Sequence, residues 1–503
     1  MSLAKTYTRA QVGVNAPLVT VEVHLSNGLP AFNMVGLPEA SVKESKERVR
    51  CALAHCHFLF PEQRITVNLA PADLPKQGGR YDLAIAIGIL LASGQLQNAH
   101  IHEYEFYGEL ALTGELREVT AVIPALIAAA NAQRCCFIPQ SNQVMASLVT
   151  YGTRKSAGNL RDVWMDLGGQ QALSFDKAMV CPDEEQFNMH IDMNEVKGQV
   201  VAKRVLEIAA AGAHNVLFLG PPGTGKSMLA QRMPTIMPPM QIEQALETAS
   251  VYSLIGKSID PKKWRQRPFR SPHHTCSAVA LVGGSSTPKP GEISLAHNGI
   301  LFLDELPEYE RKVLDSLREP METGTVNISR AAQQVDFPAR FQLIAALNPS
   351  PTGCHHDKRS TPDQVLRYLS KISGPFIDRI DLQIELPRLS TSELQSKDEA
   401  EASASIRARV ALARSMAIER QGKENAMLST KELERYCALS EVVGEYLAKA
   451  TEKLQLSPRS YHRVVKVART IADLNKHDVI ALSDLKEALS YRAFERLLSQ
   501  LTR

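Results

Sequence analysis

The chain has 503 residues, of which 44% are hydrophobic and 22% charged, and a formal net charge of +3. This composition excludes a disordered or fibrous chain, and the length exceeds one ordinary core, since about 150 residues per domain implies two to four domains. With so little net charge, contact with nucleic acid has to come from local patches and not from the chain as a polycation.

Eight cysteines, Cys51, Cys56, Cys135, Cys136, Cys181, Cys276, Cys354 and Cys437, lie without a repeated spacing, which points to reduced thiols in a reducing compartment. Residues 1–11 hold no apolar stretch of the kind a signal peptide needs. The longest apolar run, residues 83–92, falls short of the ~20 residues of a spanning helix. A cytoplasmic protein with no membrane partner is expected.

Near the amino end, Val19, Val21, Val23 and Leu25 alternate with Thr20, Glu22 and His24, and Asn27-Gly28 supplies residues that tolerate positive φ. The pattern predicts a hairpin over residues 19–36. Residues 38–55 begin with Pro38 and place mixed charges around Val42, Val49 and Leu53, a helix with one buried stripe. "QRITVNLAP" reads as another strand and "YDLAIAIGILLASG" as a buried helix closed by Gly94. Residues 1–172 therefore read as a mixed α+β domain, and the polar, acidic stretch 173–195 as a linker. In residues 196–388 the runs "NVLFLG", "GILFLDEL", "FQLIAALN" and "RIDLQIEL" are nearly continuous apolar strands, which predicts a parallel sheet covered on both faces. Residues 389–503 are helix-rich: a long charged helix is expected over 393–421, and Val464, Val465, Val467, Ala468, Ile471 and Leu474 recur near helical spacing.

The chemistry lies at the ends of those strands. Gly220-Pro221-Pro222-Gly223-Thr224-Gly225-Lys226-Ser227 follows "NVLFL" and precedes a helix-compatible run opened by Met228, and satisfies G-x-x-x-x-G-K-[ST] in full. Glycines there let backbone N–H groups converge on phosphate oxygens, Lys226 reaches the terminal phosphates, and the Ser227 hydroxyl ligates Mg²⁺. Asp304 and Glu305 end a buried strand, where open α/β sheets bind ligands. Asp304 is placed in the magnesium shell, and Glu305 is suited to polarise an attacking water. Asn348 ends the run "LIAALN" and is suited to hold that water; Asn-Pro is also an ordinary turn signal.

Together, "VKGQVVAKRVLEIAAAGAHNVLFLGPPGTGKS", "FRSPHHT", "PGEISLAHNGILFLDELPE", "AALNPSP", "LSKISGPFIDRIDL" and "SPRSYHRVVKVARTIADL" resemble the magnesium-chelatase-like AAA+ ATPases, in the subgroup called ComM or YifB, over essentially the whole chain. The fold class this implies is α/β: a AAA+ P-loop parallel sheet with a helical lid, preceded by a mixed α+β Lon-protease-like domain. The resemblance further implies a homo-hexameric ring with ATP and Mg²⁺ at subunit interfaces, and branch migration of DNA during its homologous integration in natural transformation, with recombination or competence proteins as partners. It assigns Val196, Gly198 and Gln199 to the adenine pocket, Asn348 to the first sensor, Arg379 to a finger reaching the neighbouring nucleotide, and Arg459 to the second sensor, with Arg463 as its rival. A planar, permanently charged guanidinium suits such a role, and it also suits a structural pair with Asp378 or Asp381.

The chain departs from the pattern in two places. In proteolytic Lon relatives a serine follows a Pro-Lys-x-Gly-x stretch, and a lysine follows a Thr-Gly-Glu turn. Here Arg80 follows Pro75-Lys76-Gln77-Gly78-Gly79, and Ile123 stands where the lysine is due after Thr113, so the nucleophile and base are both missing. Lys76, Arg80 and Arg117 read instead as surface charge, open to an acidic partner such as DNA. After Asn348, Cys354, His355 and His356 offer no fourth ligand for a tetrahedral ion, and no structural zinc is expected. Two stretches read as substrate-contacting loops. One carries Lys262, Lys263, Arg265, Arg267 and Arg270 interleaved with Trp264 and Phe269, followed by Gly283-Gly284-Ser285-Ser286; the other is a hairpin with Arg330 at its tip. Two functions stay open: a DNA motor, and a remodeller acting on a protein partner.

Overall fold

The computed structural model describes residues 2–178, 191–284, 288–329, 334–351, 360–395, 400–454 and 456–501. In the amino-terminal module, β1 (Ser2–Arg9), β2 (Leu18–Ser26), β3 (Ala31–Val35) and β4 (Arg64–Ala70) form one sheet in the order β1-β2-β4-β3. The hairpin expected across Asn27-Gly28 does not form. β4 inserts between the two strands, antiparallel to β2 and parallel to β3. The reason lies in burial: Ile65, Val67 and Leu69 of β4 are fully buried opposite Leu25, Val23 and Val21, whereas no residue of β3 is buried. The most apolar strand takes the centre, where it removes most surface from water.

The helix Asp82–Ala92 backs this sheet with all but Leu91 buried. Gly88 permits the approach, since a Cβ there would stand 2.7 Å from Val23. β5 (Tyr104–Phe106), β8 (Cys135–Pro139) and β9 (Arg154–Ala157) form a second, parallel sheet, and β6 (Glu109–Leu110) pairs with β7 (Leu116–Arg117).

The second module is built on five parallel strands, β10 (Val216–Leu219), β11 (Phe269–Arg270), β12 (Ile300–Leu303), β15 (Gln342–Leu347) and β16 (Leu382–Glu385), in the order β11-β12-β15-β10-β16. Every residue of β10, β12 and β15 is buried, as four apolar runs under two helical layers require. β13 (Thr325–Ser329) and β14 (Gln334–Pro338) make the expected hairpin ahead of β15. Its tip residue Arg330 lies outside the described residues, as do Ser285, Ser286, Cys354, His355 and His356.

The expected long helix over 393–421 is shorter. A short helix spans Thr391–Gln395, and the main one is Ser403–Gln421. Its start is pinned: the Ser403 amide donates to Asp192 Oδ1 at 3.0 Å and the Ser403 hydroxyl accepts from the Met193 amide at 2.8 Å. A carboxylate at a helix amino end satisfies an orphan donor and suits the dipole. This helix packs on Val200–Gly212 and Pro458–Leu474. Of the stretch 173–195 read as a linker, residues 179–190 lie outside the described ones. The two modules share a core in which Tyr107, Ile123 and Leu126 meet Leu246, Ala249 and Trp264. Among the described residues, no helix is long and apolar enough to cross a membrane.

At the amino-terminal edge of the five-stranded sheet, buried Asp381 accepts from Arg463 Nη1 at 2.5 Å and from the Asn215 amide at 2.9 Å, with His214 Nδ1 at 3.6 Å. Burial raises this carboxyl, but Arg463, His214 and the Asn215 amide outweigh it and hold it well below the usual carboxylate range. A depressed carboxyl contributes stability above its unfolded pKa of about 3.9, and that contribution is lost as pH falls toward the folded value. Asp381→Asn is therefore expected to lower stability by about 3 kcal/mol at neutral pH. The gap from wild type should narrow below about pH 4, measured by urea unfolding at a series of pH values.

Candidate functional site: a phosphate loop at the carboxyl edge of the sheet

β10 leads straight into residues 220–225, and the helix Lys226–Ile236 follows. Gly223 and Gly225 have φ of +81° and +87°, and a Cβ at either would meet nothing within 4 Å, so the loop encloses open space. Gly220 differs: a Cβ there would stand 2.8 Å from the Leu386 carbonyl oxygen. Pro221 and Pro222 form the outer turn, and the Thr224 hydroxyl donates to the Pro221 carbonyl at 3.0 Å.

Lys226 Nζ donates to the carbonyls of Gly220 (2.7 Å) and Pro221 (3.0 Å) and to Asn348 Oδ1 (3.1 Å). Burial lowers its pKa below the usual lysine range, against the opposing pull of Asp304 and Glu305. A desolvated cation on neutral acceptors is prepared for an anion. Ser227 Oγ donates to Asp304 Oδ2 at 2.7 Å; this hydroxyl and carboxylate make the oxygen pair that Mg²⁺ takes beside a triphosphate. The structure thus brings together Lys226, Ser227, Asp304 and Asn348 from three neighbouring strands.

Glu305 sits in the left-handed region at φ +51°, with its amide donating to Asp304 Oδ1 at 2.9 Å. A non-glycine residue held there marks local strain of the kind functional sites carry. Its Oε2 lies 3.2 Å from Nδ1 of His274, a residue sequence reasoning missed. His274 follows the edge strand β11, so the carboxyl-end rule that located Asp304 also covered "FRSPHHT".

A cavity of about 240 Å³ adjoins the loop, lined by Val196, Gln199, Gly223, Gly225, Met228 and Leu389. Gln199 Nε2 donates to the carbonyls of Thr224 (3.3 Å) and Pro387 (3.1 Å), which ties the 196–199 segment to the phosphate loop. Gly198 has φ +57°, and a Cβ there would stand 2.8 Å from Leu389 Cδ2. Leu389 was also missed; it lies on the irregular stretch after β16, where no motif flags it. A flat apolar slot beside an open glycine cradle and a hydroxyl–carboxylate pair fits ATP with Mg²⁺.

The arginines lie elsewhere. Arg379 is 5% exposed and pairs with Glu322 at 2.5 Å, not with Asp378 or Asp381, and its carbonyl accepts from Asn215 Nδ2 at 3.1 Å. Asn215 precedes β10 and the phosphate loop follows it, so the backbone of Arg379 stands a strand length, ~13 Å, from its own loop. Arg463 is committed to Asp381. Arg459 is exposed on the first turn of Pro458–Leu474, with no hydrogen bond or ion pair among the described residues.

Several residues read as DNA-contacting are committed inside the fold. Trp264 is buried in the core between the modules, because its large apolar surface fills that junction. Arg265 and Arg267 donate to backbone carbonyls, Arg270 is bidentate to Glu292 at 2.6 and 2.7 Å, and Phe269 stacks on Phe302. Lys262 and Lys263 remain exposed. Lys76 and Arg80 are buried as well: Lys76 donates to the carbonyls of Gly36 and Pro71, and Arg80 to that of Thr120. Arg117 is exposed, 3.8 Å from Glu109.

Glu305→Gln neutralises the carboxylate that follows β12 while leaving Lys226, Ser227 and Asp304 in place. Turnover of ATP is expected to fall by roughly 10²–10⁴ with ATP affinity retained; wild-type turnover in a steady-state assay would remove Glu305 from the chemistry.

Three family models match the chain: magnesium chelatase subunit ChlI over residues 192–394, subunit ChlI of Mg-chelatase over 21–142, and the ChlI C-terminal model over 400–492. Competence protein ComM of Haemophilus influenzae is 54% identical over 507 residues, covering 100% of both chains. The uncharacterized protein YifB of Salmonella typhimurium is 49% identical over 100% of this chain and 99% of its own. The magnesium-chelatase 67 kDa subunit of Heliobacterium mobile is 26% identical over 38% of this chain and 32% of its own. Full-length identity at this level, on a five-stranded parallel sheet with a complete phosphate loop, means that the chain belongs to the ComM/YifB family of magnesium-chelatase-like AAA+ ATPases.

Proposed function

We propose that the chain is a cytoplasmic, ATP-driven DNA motor that works as a homo-hexameric ring and promotes branch migration while incoming DNA is integrated in natural transformation. The observation that carries the reading is the position of Arg379. It lies at the edge of the sheet opposite the phosphate loop of its own chain, so a finger role requires a second copy whose loop it faces. To reach that loop it has to leave Glu322, which makes the pair a gate on turnover. Competence protein ComM, matched end to end, supports competence as the setting.

In this reading Lys226 leaves the Gly220 and Pro221 carbonyls for the terminal phosphate, and Ser227 and Asp304 would hold a Mg²⁺ ion. Bound ATP with Mg²⁺ supplies the phosphoanhydride whose cleavage drives the motor. Asn348 Oδ1, released from Lys226, orients the lytic water, and a Glu305 carboxylate oxygen takes its proton once free of His274. Arg459, exposed and without a partner among the described residues, is the better second sensor than Arg463, which Asp381 holds. One observation favours the protein remodeller instead: Lys76, Arg80, Arg267 and Arg270 are spent inside the fold, which thins the surface available to phosphates.

ATP hydrolysis measured with and without single-stranded or branched DNA across a salt series separates the two. Stimulation that weakens steeply with salt is expected for the motor, and indifference to DNA would leave the remodeller. Arg379→Ala is expected to cut turnover by about 10³ or more while keeping ATP binding. Mixing it with Lys226→Ala should restore part of the rate, because intact loops then face intact arginines; absence of any rescue would place Arg379 outside the neighbour's site.

A further inference from the structure

A cavity of about 650 Å³ lies away from the phosphate loop, between the end of the helix Lys226–Ile236, the start of the helix Ile242–Leu254 and one face of Ser403–Gln421. Three guanidinium groups line it. Arg267 donates Nε to the Pro238 carbonyl (2.9 Å) and Nη1 to the Asn298 carbonyl (2.8 Å). Arg414, 8% exposed, donates Nε to the Ala210 carbonyl at 2.8 Å. Arg407 donates Nη1 to the Thr235 carbonyl at 3.2 Å. Asn298 precedes β12, whose other end carries Asp304, so this cavity and the nucleotide cleft open on opposite edges of the sheet.

The charges do not balance. Among the described residues the one carboxylate lining the cavity is Glu424, 3.7 Å from Arg414 Nη1 and beyond hydrogen-bond reach. Asp192, outside the lining, acts on Arg407 but already accepts the Ser403 and Asn194 amides. Burial, and then the facing Arg414, push the Arg267 guanidinium down to about 9, with Glu424 opposing. Among the described residues the remaining guanidinium nitrogens of Arg267 and Arg414 have no hydrogen-bond acceptor. Clustered, partly desolvated guanidinium groups with free N–H forks are the geometry that binds phosphate bidentately.

The rest of the wall is apolar. Met237, Pro238 and Pro239 face Ala404, Ala408 and Ile418 across the cavity, and Ala404, Ala408 and Ala411 keep that helix face shallow. The volume lies within the range of small-molecule sites, roughly 300–1,000 Å³, and is far larger than a single phosphate needs. We propose that this cavity is a second ligand site, which takes a phosphorylated small molecule of nucleotide size: Arg267, Arg407 and Arg414 receive its phosphate, and the proline, methionine and alanine walls cover its organic part. The amino end of Ile242–Leu254, with Gln241 and Gln244 at the mouth, adds positive potential to the same place.

Calorimetric titration of the full chain carrying Lys226→Ala, which cripples the phosphate loop, tests this with three probes: AMP, inorganic phosphate and adenosine. AMP is expected to bind, inorganic phosphate more weakly, and adenosine not measurably. Arg407→Gln and Arg414→Gln, each added to that chain, should weaken AMP binding by roughly tenfold or more. Because Arg414 also holds a backbone carbonyl, Ala408→Trp serves as the independent variant: it fills the cavity, leaves every arginine in place, and should abolish AMP binding while circular dichroism stays unchanged. AMP binding that survives Ala408→Trp undiminished, phosphate binding equal to that of AMP, adenosine binding equal to that of AMP, or no binding of AMP at all would each overturn the proposal.

Discussion

Parallel pairing of β10, β15 and β12 is the constraint from which the site follows. Neighbouring parallel strands end on one edge, so Lys226, Asn348 and Asp304 must share that edge whatever the intervening loops do. The register adds a detail. Leu219 pairs with Leu347 but Leu303 pairs with Ala345, so β12 stops two residues lower than β10 and β15. That step, ~7 Å, sets Asp304 below the level of Asn348. The same pairing sends Arg379 to the far edge, since the chain reaches it before entering β16. A nucleotide site that needs both edges cannot be completed within one sheet.

Each reactive group is held by a partner inside the fold. Lys226 rests on two carbonyls and Asn348, Ser227 on Asp304, Glu305 beside His274, and Arg379 on Glu322. None of these contacts is irreplaceable: a hydrogen bond to a charged group contributes about 1.5–3 kcal/mol and a half-exposed pair about 1 kcal/mol or less. They are weak enough to be exchanged for charged phosphate oxygens and close enough to keep the groups from straying. A phosphate group that draws Lys226 away also frees Asn348 Oδ1, because the two share one hydrogen bond.

From sequence, the strands of the second module and the phosphate loop were legible because both are local signals: an apolar run of strand length, and glycines beside a lysine. The partners of those strands were legible only by resemblance. β3 shows the limit. The alternation along residues 19–25 and the Asn27-Gly28 turn pointed to a hairpin with β2, and only the greater burial of β4, a long-range quantity, decided otherwise. Burial of cations misled in the same way. Lys76, Arg80 and Arg267 look like surface charge in one dimension, yet each satisfies carbonyls that become neighbours only when distant segments pack. Leu389 was missed for the converse reason: it belongs to no motif and faces the site only because of where β16 lies, whereas His274 stands in "FRSPHHT" at the carboxyl end of β11, where the rule that located Asp304 also applied.

The joint between the modules argues that the amino-terminal one is more than a passenger. The Ala121 amide donates to the Ser253 carbonyl at 2.8 Å at the end of the helix Ile242–Leu254. That helix in turn holds the entry to β12: Thr248 Oγ donates to the His297 carbonyl at 3.3 Å, and Asn298 Nδ2 to the Gln244 carbonyl at 3.1 Å. At a second point Gly13, at φ +56°, is pressed on the β13–β14 hairpin so closely that a Cβ would stand 2.4 Å from Val335. The hairpin runs directly into β15. The module therefore grips the approaches to the two strands whose far ends carry Asp304 and Asn348. A close-packed interior transmits such displacements instead of absorbing them, so a shift of either strand during turnover has to move this joint, and a load on the module has to be felt at the carboxyl edge of the sheet.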